Sequence, residues 1–160
     1  MLISGWEGPQ KTQHDFIMEG TAVEIKSITG NEREKVRISS EDQLYTHMNS
    51  LFLRVYLLSK LESNERGDSL NSIVNRIFSK LTSPSNRDLF EIKLHSARYI
   101  DIPEYDIPRF QVNDCLSYHV LDSFPRITRQ SLPEGIEAVS YDLVLASIEN
   151  FRVSDVVLGD

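Results

Sequence analysis

The segment from Leu51 to Leu58 is apolar at every position except Arg54. Side chains of a β-strand alternate between its two faces, so a segment that is apolar on both is typical of a central strand covered on two sides. Such a strand requires a sheet with further elements packed on each face. We therefore predict a domain in which strands and helices form layers around a central sheet.

A hairpin is predicted ahead of this strand. The short segment 13–19 places Phe16 and Met18 on one face, Gly20 provides a turn, and the segment 21–28 follows as a second strand. In that strand Ile25 is expected to point into the core.

The segment 35–39 alternates polar and apolar residues and predicts a third strand against the same core. Ser40 then fits the cap of a short helix that contains Gln43 and Leu44.

Two helices and two further strands are predicted downstream. Apolar residues at offsets of three and four indicate a helix over 70–81 with Asp68 as its N-cap, and Ser83-Pro84 begins a second helix that runs to about Ala97. The last strands are predicted over 110–121 and 136–146. The fold class is therefore α+β, with an α/β/α-like arrangement of a central mixed sheet and flanking helices.

Composition bounds the kind of protein. A chain of 160 residues with 40% apolar residues is expected to form one compact domain over 1–160. No apolar run reaches the roughly 18 residues of a membrane span, and no secretory signal follows Met1, so we expect a cytoplasmic protein without membrane contacts. The single cysteine, Cys115, lies in a predicted strand and is interpreted as a buried structural thiol.

A possible metal site lies on the predicted hairpin. Residues two apart in a strand share a face, so Glu24 and Lys26 project side by side. Asp15, at the start of the preceding strand, can reach the same patch. The two carboxylates and the backbone carbonyl of Ile25 form an all-oxygen pocket suited to Mg²⁺ or Mn²⁺, with Lys26 beside the bound water.

The same residues also permit a simpler interpretation, in which they are charges on the exposed face of an ordinary hairpin. An acid followed two residues later by lysine recurs at Glu91-Ile92-Lys93. That second copy lies in a predicted helix, where residues two apart face different directions, and we interpret it as solvated surface. The four histidines lack the paired spacing of zinc sites and are interpreted as isolated surface or core residues.

A family resemblance covers nearly the whole chain. Its segments are Trp6-Glu7-Gly8-Pro9, His14-Asp15-Phe16, Ala22 to Ser27, Val36 to Ser40 with Gln43-Leu44, the helix from Gly67 to Leu81, Phe124 to Ile127 with Leu132-Pro133, and Tyr141 to Leu143. Together they resemble a family of PD-(D/E)XK proteins, restriction-endonuclease-like and often encoded near bacterial phage-defence and restriction genes. The resemblance implies a nuclease-like fold.

The resemblance also implies roles for individual residues. Asp15 and Glu24 would bind the metal, Lys26 would be the catalytic lysine, and Gln43 would support the active site or touch the nucleic acid. His14 stands where the family name has proline.

Five residues precede Trp6, whereas family members share a longer N-terminal half with a core helix. We therefore expect the N-terminal core helix to be missing and this chain to correspond to the C-terminal half of a longer architecture.

The sequence thus favours a Mg²⁺-dependent nuclease domain that cleaves DNA in restriction or phage defence. The net charge of −7 is unusual for a protein that coats DNA by electrostatics alone, so part of the DNA contact would come from another domain or subunit. The alternative is a catalytically inactive nuclease-fold module that binds a partner or needs the missing N-terminal segment. A homodimer that completes the core is a third hypothesis.

Overall fold

A computed structural model describes residues 3–10, 12–30, 34–62 and 66–154. It contains seven strands and two α-helices within these ranges. The strands are β1 (Phe16–Met18), β2 (Thr21–Thr29), β3 (Lys35–Ile38), β4 (Ser50–Leu61), β5 (Arg109–His119), β6 (Tyr141–Val144) and β7 (Arg152–Val153). The helices are α1 (Leu70–Lys80) and α2 (Pro84–Ser96). None of the helices in these ranges is long and apolar enough to cross a bilayer.

The main sheet has five strands in the order β1-β2-β4-β5-β7. β2 runs parallel to β4, and the other neighbours are antiparallel, so the sheet is mixed. The predicted hairpin is present: Met18 pairs with Thr21 across a two-residue turn in which Glu19 and Gly20 both have positive φ. Glycine tolerates this conformation, and the resulting turn matches the twist of a hairpin.

A second sheet pairs two short strands that are distant in the sequence. β3 is antiparallel to β6, with Val36 opposite Leu143. The prediction that residues 35–39 pack against the same core is confirmed, because Val36 and Ile38 are buried in the main core. The predicted strand over 136–146 was too long. Only β6 is extended there, because the chain turns into a 3₁₀ helix from Leu145 to Phe151.

The main core lies between the five-stranded sheet and the two-stranded sheet. It contains residues from β2, β3, β4, β5 and β6 and from the loops that follow, including Ala22, Ile38, Leu44, Leu53, Tyr118, Phe124 and Ile148. Because β4 and β5 supply alternating residues to this core, these two strands form the centre of the domain. The class is α+β with a central mixed sheet, as predicted.

The other face of the main sheet is only half-buried, which corrects two expectations. β4 was predicted to be covered on both sides, but Phe52, Arg54 and Tyr56 on its second face keep partial exposure. Ile25 lies on this half-buried face and was wrongly expected to point into the core. Instead, Ala22 and Ile28, which share a face with Glu24, pack in the main core.

The two helices form a smaller core with the N-terminal turns. Ile3, Val74, Leu81, Phe90 and Leu94 are its buried members. Ser69, not the predicted Asp68, is the N-cap of α1, because its side chain accepts the N–H of Ser72 while the Ser72 hydroxyl accepts the N–H of Ser69. The backbone of Asp68 is instead paired with Phe110.

The predicted short helix after Ser40 is absent from the described structure, and residues 41–44 form turns. The Ser40 hydroxyl accepts the N–H of Asp42, two residues on, as a helix cap would, but the turn does not continue as a helix. The Glu41 carboxylate accepts the N–H groups of Ala138 and Val139, so it is committed to a distant loop. These contacts hold Gln43 and Leu44 against the main sheet without a helix.

Candidate active site

The candidate site lies at the edge of β2, just beyond the end of β1. β1 pairs with β2 only as far as Val23, so the β1 side of β2 is open from Glu24 onward. Asp15, the residue before β1, fills the next position with its side chain: Asp15 Oδ2 accepts the N–H of Ile25 over 2.8 Å. A carboxylate therefore takes the place of a strand at this edge.

This contact also orients the backbone of β2. In an extended strand, the N–H and C=O of one residue point to the same side. Because the N–H of Ile25 points to Asp15, the Ile25 carbonyl is directed to the same open side. The Asp15 carboxylate and the Ile25 carbonyl thus border one opening.

Glu24 and Lys26 project from β2 on the face of the main core, at its border. Their side chains form an ion pair, with Lys26 Nζ 2.9 Å from Glu24 Oε1. Both side chains are largely buried: the exposed fraction is 4% for Glu24 and 14% for Lys26. The interpretation as charges on an exposed hairpin face is therefore wrong, because the pair is enclosed by the fold.

Gln43 completes this group from the turn that follows β3. Gln43 Oε1 accepts a hydrogen bond from Lys26 Nζ over 2.9 Å and another from the N–H of Ser39 over 2.7 Å. The ammonium is therefore held between a carboxylate and an amide oxygen. The structure brings together Asp15, Glu24, Lys26 and Gln43, the four residues singled out in the sequence.

The electrostatics of the site centre on Glu24. Burial raises the pKa of the Glu24 carboxyl to about 7, the hydrogen bond and charge of Lys26 lower it, and the negative charge of Asp15 raises it. Raised carboxyl pKa values of this kind cluster at functional sites, where burial and neighbouring charges act together. Glu24 therefore exchanges its proton near neutral pH.

The donor set can be compared with the needs of a divalent ion. Mg²⁺ is commonly held by one or two carboxylates and keeps several waters, and it prefers oxygen ligands. Asp15, Glu24 and the Ile25 carbonyl meet this requirement. The parts of the chain that the structure describes hold no group of three or more His, Cys, Asp or Glu side chains arranged for a metal. A site here would thus depend on two carboxylates, one carbonyl and water.

His14 is a core residue. Its side chain is buried, and neither ring nitrogen has a hydrogen-bond partner among the described residues. Burial lowers the pKa of the imidazole, against the opposing effects of the nearby Tyr45 backbone and the charge of Asp15. The neutral form is therefore favoured. Cys115 on β5 is half-buried, not buried as predicted. Its Sγ accepts a hydrogen bond from Arg54 Nε over 3.0 Å.

Comparison with protein families identifies the group to which this architecture belongs. A family model described as "Putative PD-(D/E)XK family member" (DUF4420) matches residues 2–146. The chain belongs to this PD-(D/E)XK family. Its mixed sheet and helices are consistent with the restriction-endonuclease-like fold, so the predicted resemblance is confirmed at the level of family and fold. Neither the curated proteins nor the solved structures gave a significant match.

The sequence analysis missed one contributor to the site. Lys93 was interpreted as solvated surface, but its side chain is buried at 4% exposure. Its Nζ donates to the carbonyl of Trp6 and lies 3.6 Å from Glu7 Oε1. The N–H groups of Glu7 and Gly8 in turn donate to the Asp15 carbonyl over 2.7 and 3.1 Å. Lys93 thus anchors the turn that holds the Asp15 backbone.

A signal for this role was present in the sequence. Lys93 follows Phe90 by three residues and precedes Leu94 by one, so it lies on the apolar stripe of α2. A lysine at such a position needs buried acceptors for its ammonium, because burying an unpaired charge is costly. The Glu91-Ile92-Lys93 triplet was interpreted as solvated surface without regard to that stripe.

Proposed function

We propose that this PD-(D/E)XK chain is a metal-dependent nuclease domain that hydrolyses phosphodiester bonds of DNA. The observation that carries the proposal is the convergence of Asp15, Glu24, Lys26 and Gln43 at the open edge of β2. Restriction or defence against phage, in the cytoplasm, is the biological setting we propose for this activity. DNA would be held in part by another domain or subunit, since the net charge of the chain is −7.

The metal-binding role is proposed for Asp15, Glu24 and the Ile25 carbonyl, with Mg²⁺ or Mn²⁺ as the ion. When bound, such an ion lowers the pKa of water and neutralises negative charge on a phosphate. Asp15 would contribute chiefly through Oδ1, since Oδ2 accepts the Ile25 N–H. Glu24 must lose its proton to act as a ligand, and its pKa of about 7 makes this possible at mildly alkaline pH.

Lys26 is proposed as the catalytic lysine. Hydrolysis joins a water oxygen to phosphorus, breaks the bond to the leaving oxygen and delivers a proton to that oxygen. An ammonium beside the phosphate stabilises the negative charge that develops on its oxygens. Gln43 would keep the ammonium in position, because its Oε1 accepts from both Lys26 and the Ser39 backbone.

A cleavage assay on plasmid and linear DNA tests the proposal. We expect cleavage with Mg²⁺ or Mn²⁺, none with EDTA, and none from Asp15→Ala or Glu24→Ala. A matched control is Asp122→Ala, because Asp122 is an exposed aspartate distant in sequence from the site. Cleavage that persists in both carboxylate variants would exclude this mechanism.

A second candidate function is a nuclease-fold module that binds a protein partner without catalysis. The observation in its favour is an apolar groove of about 620 Å³ between α1 and the half-buried face of the main sheet. Leu70, Ile73 and Val112 line it and are exposed. The mass in solution and a titration with millimolar Mn²⁺ separate the candidates: an inactive module binds no metal, and a homodimer shows twice the monomer mass.

A further inference from the structure

A cavity of about 530 Å³ lies beside the candidate site. Its lining includes Gln13, Asp42, Tyr45, His47, Arg129 and Gln130. Two aromatic rings lie in this wall: Tyr45 and His47 meet edge to face, with ring centroids 5.0 Å apart and planes at 85°. Aromatic faces beside amide groups are the side chains by which proteins bind nucleobases, through stacking and hydrogen bonds to the base edge.

The carboxylates in and around this cavity outnumber its one cation, Arg129. Arg129 donates to Asp42 through two nitrogens, Nε to Oδ1 over 3.3 Å and Nη2 to Oδ2 over 2.6 Å. The buried Glu41 carboxylate lies 3.7 Å from the same guanidinium. Since these carboxylates offset the positive charge, the cavity is poorly suited to a phosphate. A neutral, flat ligand fits it better.

The lining is held rigidly by hydrogen bonds. The Gln13 side-chain amide donates to the carbonyls of Asp42 and Tyr45, both over 2.5 Å. Glu41 fixes the loop at Ala138 and Val139. A preformed site of this kind binds its ligand with little loss of conformational freedom.

The cavity adjoins a cleft that reaches one residue of the active site. Gln13 and Asp42 also line a neighbouring cleft that contains Gln43, the partner of Lys26. Gln13 precedes Asp15 by two residues, and Asp42 precedes Gln43 by one. A nucleotide next to a phosphate bound near Gln43 would therefore lie close to the cleft that borders this cavity.

We propose that this cavity binds the base of an unpaired DNA nucleotide next to the scissile phosphate, with Tyr45 and His47 providing the stacking surface. The inference rests on the proposed nuclease function and specifies its substrate: single-stranded DNA, or a strand with an unpaired base. A base within a duplex is stacked and paired, so it cannot enter such a cavity without leaving the helix.

The test measures binding in EDTA, by fluorescence anisotropy, of a labelled single-stranded oligodeoxythymidylate and of a blunt duplex of equal length. Tyr45→Ala should weaken binding of the single strand by about 5- to 150-fold, the loss that follows from removing one stacking partner. Tyr45→Phe keeps the ring and should stay within about threefold of the wild type. The affinity for duplex should stay unchanged in every variant.

Two further variants complete the test, one of the second ring and one as a control. His47→Ala removes the second ring at an exposed position, so it remains informative if Tyr45→Ala fails to fold. Tyr105→Ala is the matched control, because Tyr105 stacks on Tyr99 far from the cavity in sequence. The inference is overturned if the wild type shows no preference for the single strand over the duplex, if folded Tyr45→Ala and His47→Ala bind the single strand like the wild type, or if single-strand and duplex affinities fall equally.

The outcome is separable from that of the nuclease proposal. Lys26→Ala should lose cleavage, while its remaining single-strand binding should still depend on Tyr45. A wild-type protein that cleaves nothing, yet binds the single strand through Tyr45, contradicts the nuclease and supports the cavity. Cleavage with unchanged KM in Tyr45→Ala contradicts the cavity and supports the nuclease.

Discussion

The Lys26 ammonium donates to Gln43 Oε1 over 2.9 Å, and that oxygen also accepts the N–H of Ser39 over 2.7 Å. The amide thereby connects the strand that carries Glu24 and Lys26 to the end of β3. Because β3 belongs to the second sheet, Gln43 fixes the position of the lysine relative to both sheets. In the proposed mechanism Gln43 is a positioning residue, since it acts through Lys26.

Gln43→Ala should lower kcat/KM by about tenfold or more, because a hydrogen bond to a charged group contributes roughly 1.5 to 3 kcal/mol. The fall should lie mainly in kcat, with KM for DNA little changed, because the ammonium loses its fixed position. Steady-state cleavage kinetics check this, with Gln111→Ala on the exposed part of β5 as control. If Gln43→Ala and Gln111→Ala showed equal kinetics, Gln43 would have no role in cleavage.

Lys26→Ala should abolish cleavage and also change the charge of Glu24. The ammonium lowers the pKa of Glu24 through its hydrogen bond and its charge, so its loss raises that pKa further above 7. At pH 7 the carboxyl should then be mostly protonated and bind Mn²⁺ more weakly. Isothermal titration with Mn²⁺ at pH 7 and pH 9 measures this, with the exposed Lys60→Ala as control. Metal affinity that is identical in all three proteins at both pH values contradicts the coupling.

Glu24 should make stability depend on pH. Its carboxyl ionises near 4.5 in the unfolded chain and near 7 in the folded one. Between these values the folded state binds more protons, so stability falls as pH rises through this window, by at most about 3 kcal/mol. The contribution is fully present below pH 4.5 and is lost above about pH 7.

Urea unfolding at several pH values with EDTA compares the wild type with Glu24→Gln. We expect the loss of stability between pH 5 and 8 to be about 3 kcal/mol smaller in Glu24→Gln, since glutamine does not titrate. Glu134→Gln, at an exposed loop residue, should behave like the wild type. Parallel curves for the wild type and Glu24→Gln would show that the buried carboxyl does not titrate in this range.

Local patterns predicted the hairpin, β4 and α1, because each is encoded within a short stretch. The turn at Glu19-Gly20 and the apolar run of β4 need no information from elsewhere in the chain. The pairing of β3 with β6 joins Lys35 to Val144, and no local pattern specifies it. The same limit applies after Ser40, where the Glu41 side chain binds a loop almost a hundred residues away and no local pattern indicates that contact.

The site residues were found because strand periodicity and family likeness indicated the same hairpin. Their burial was not predicted. Neighbouring charges on a strand are ordinarily exposed, and the long-range contact with the turn that carries Gln43 is not visible in the local pattern. The opposite error occurred at Lys93. Its spacing to Glu91 suggested exposed surface, although it also lies on the apolar stripe of α2 and is buried.

Lys93 gives the last prediction. Its ammonium is buried against the Trp6 carbonyl and Glu7, and these residues hold the Asp15 carbonyl. Lys93→Met keeps the length of the side chain but leaves the Trp6 carbonyl without its donor, so it should cost about 1 to 3 kcal/mol of stability. Asp15 should also become less fixed, and Mn²⁺ affinity should fall in the folded variant.

Urea unfolding and Mn²⁺ titration measure the two effects. Lys80→Met, at the exposed end of α1, is the matched control and should change neither. A folded Lys93→Met protein with lowered stability and wild-type metal affinity would limit Lys93 to the smaller core. Loss of both properties would extend the support of the site from β2 through the N-terminal turn to α2, because Lys93 on α2 binds that turn through Trp6 and Glu7.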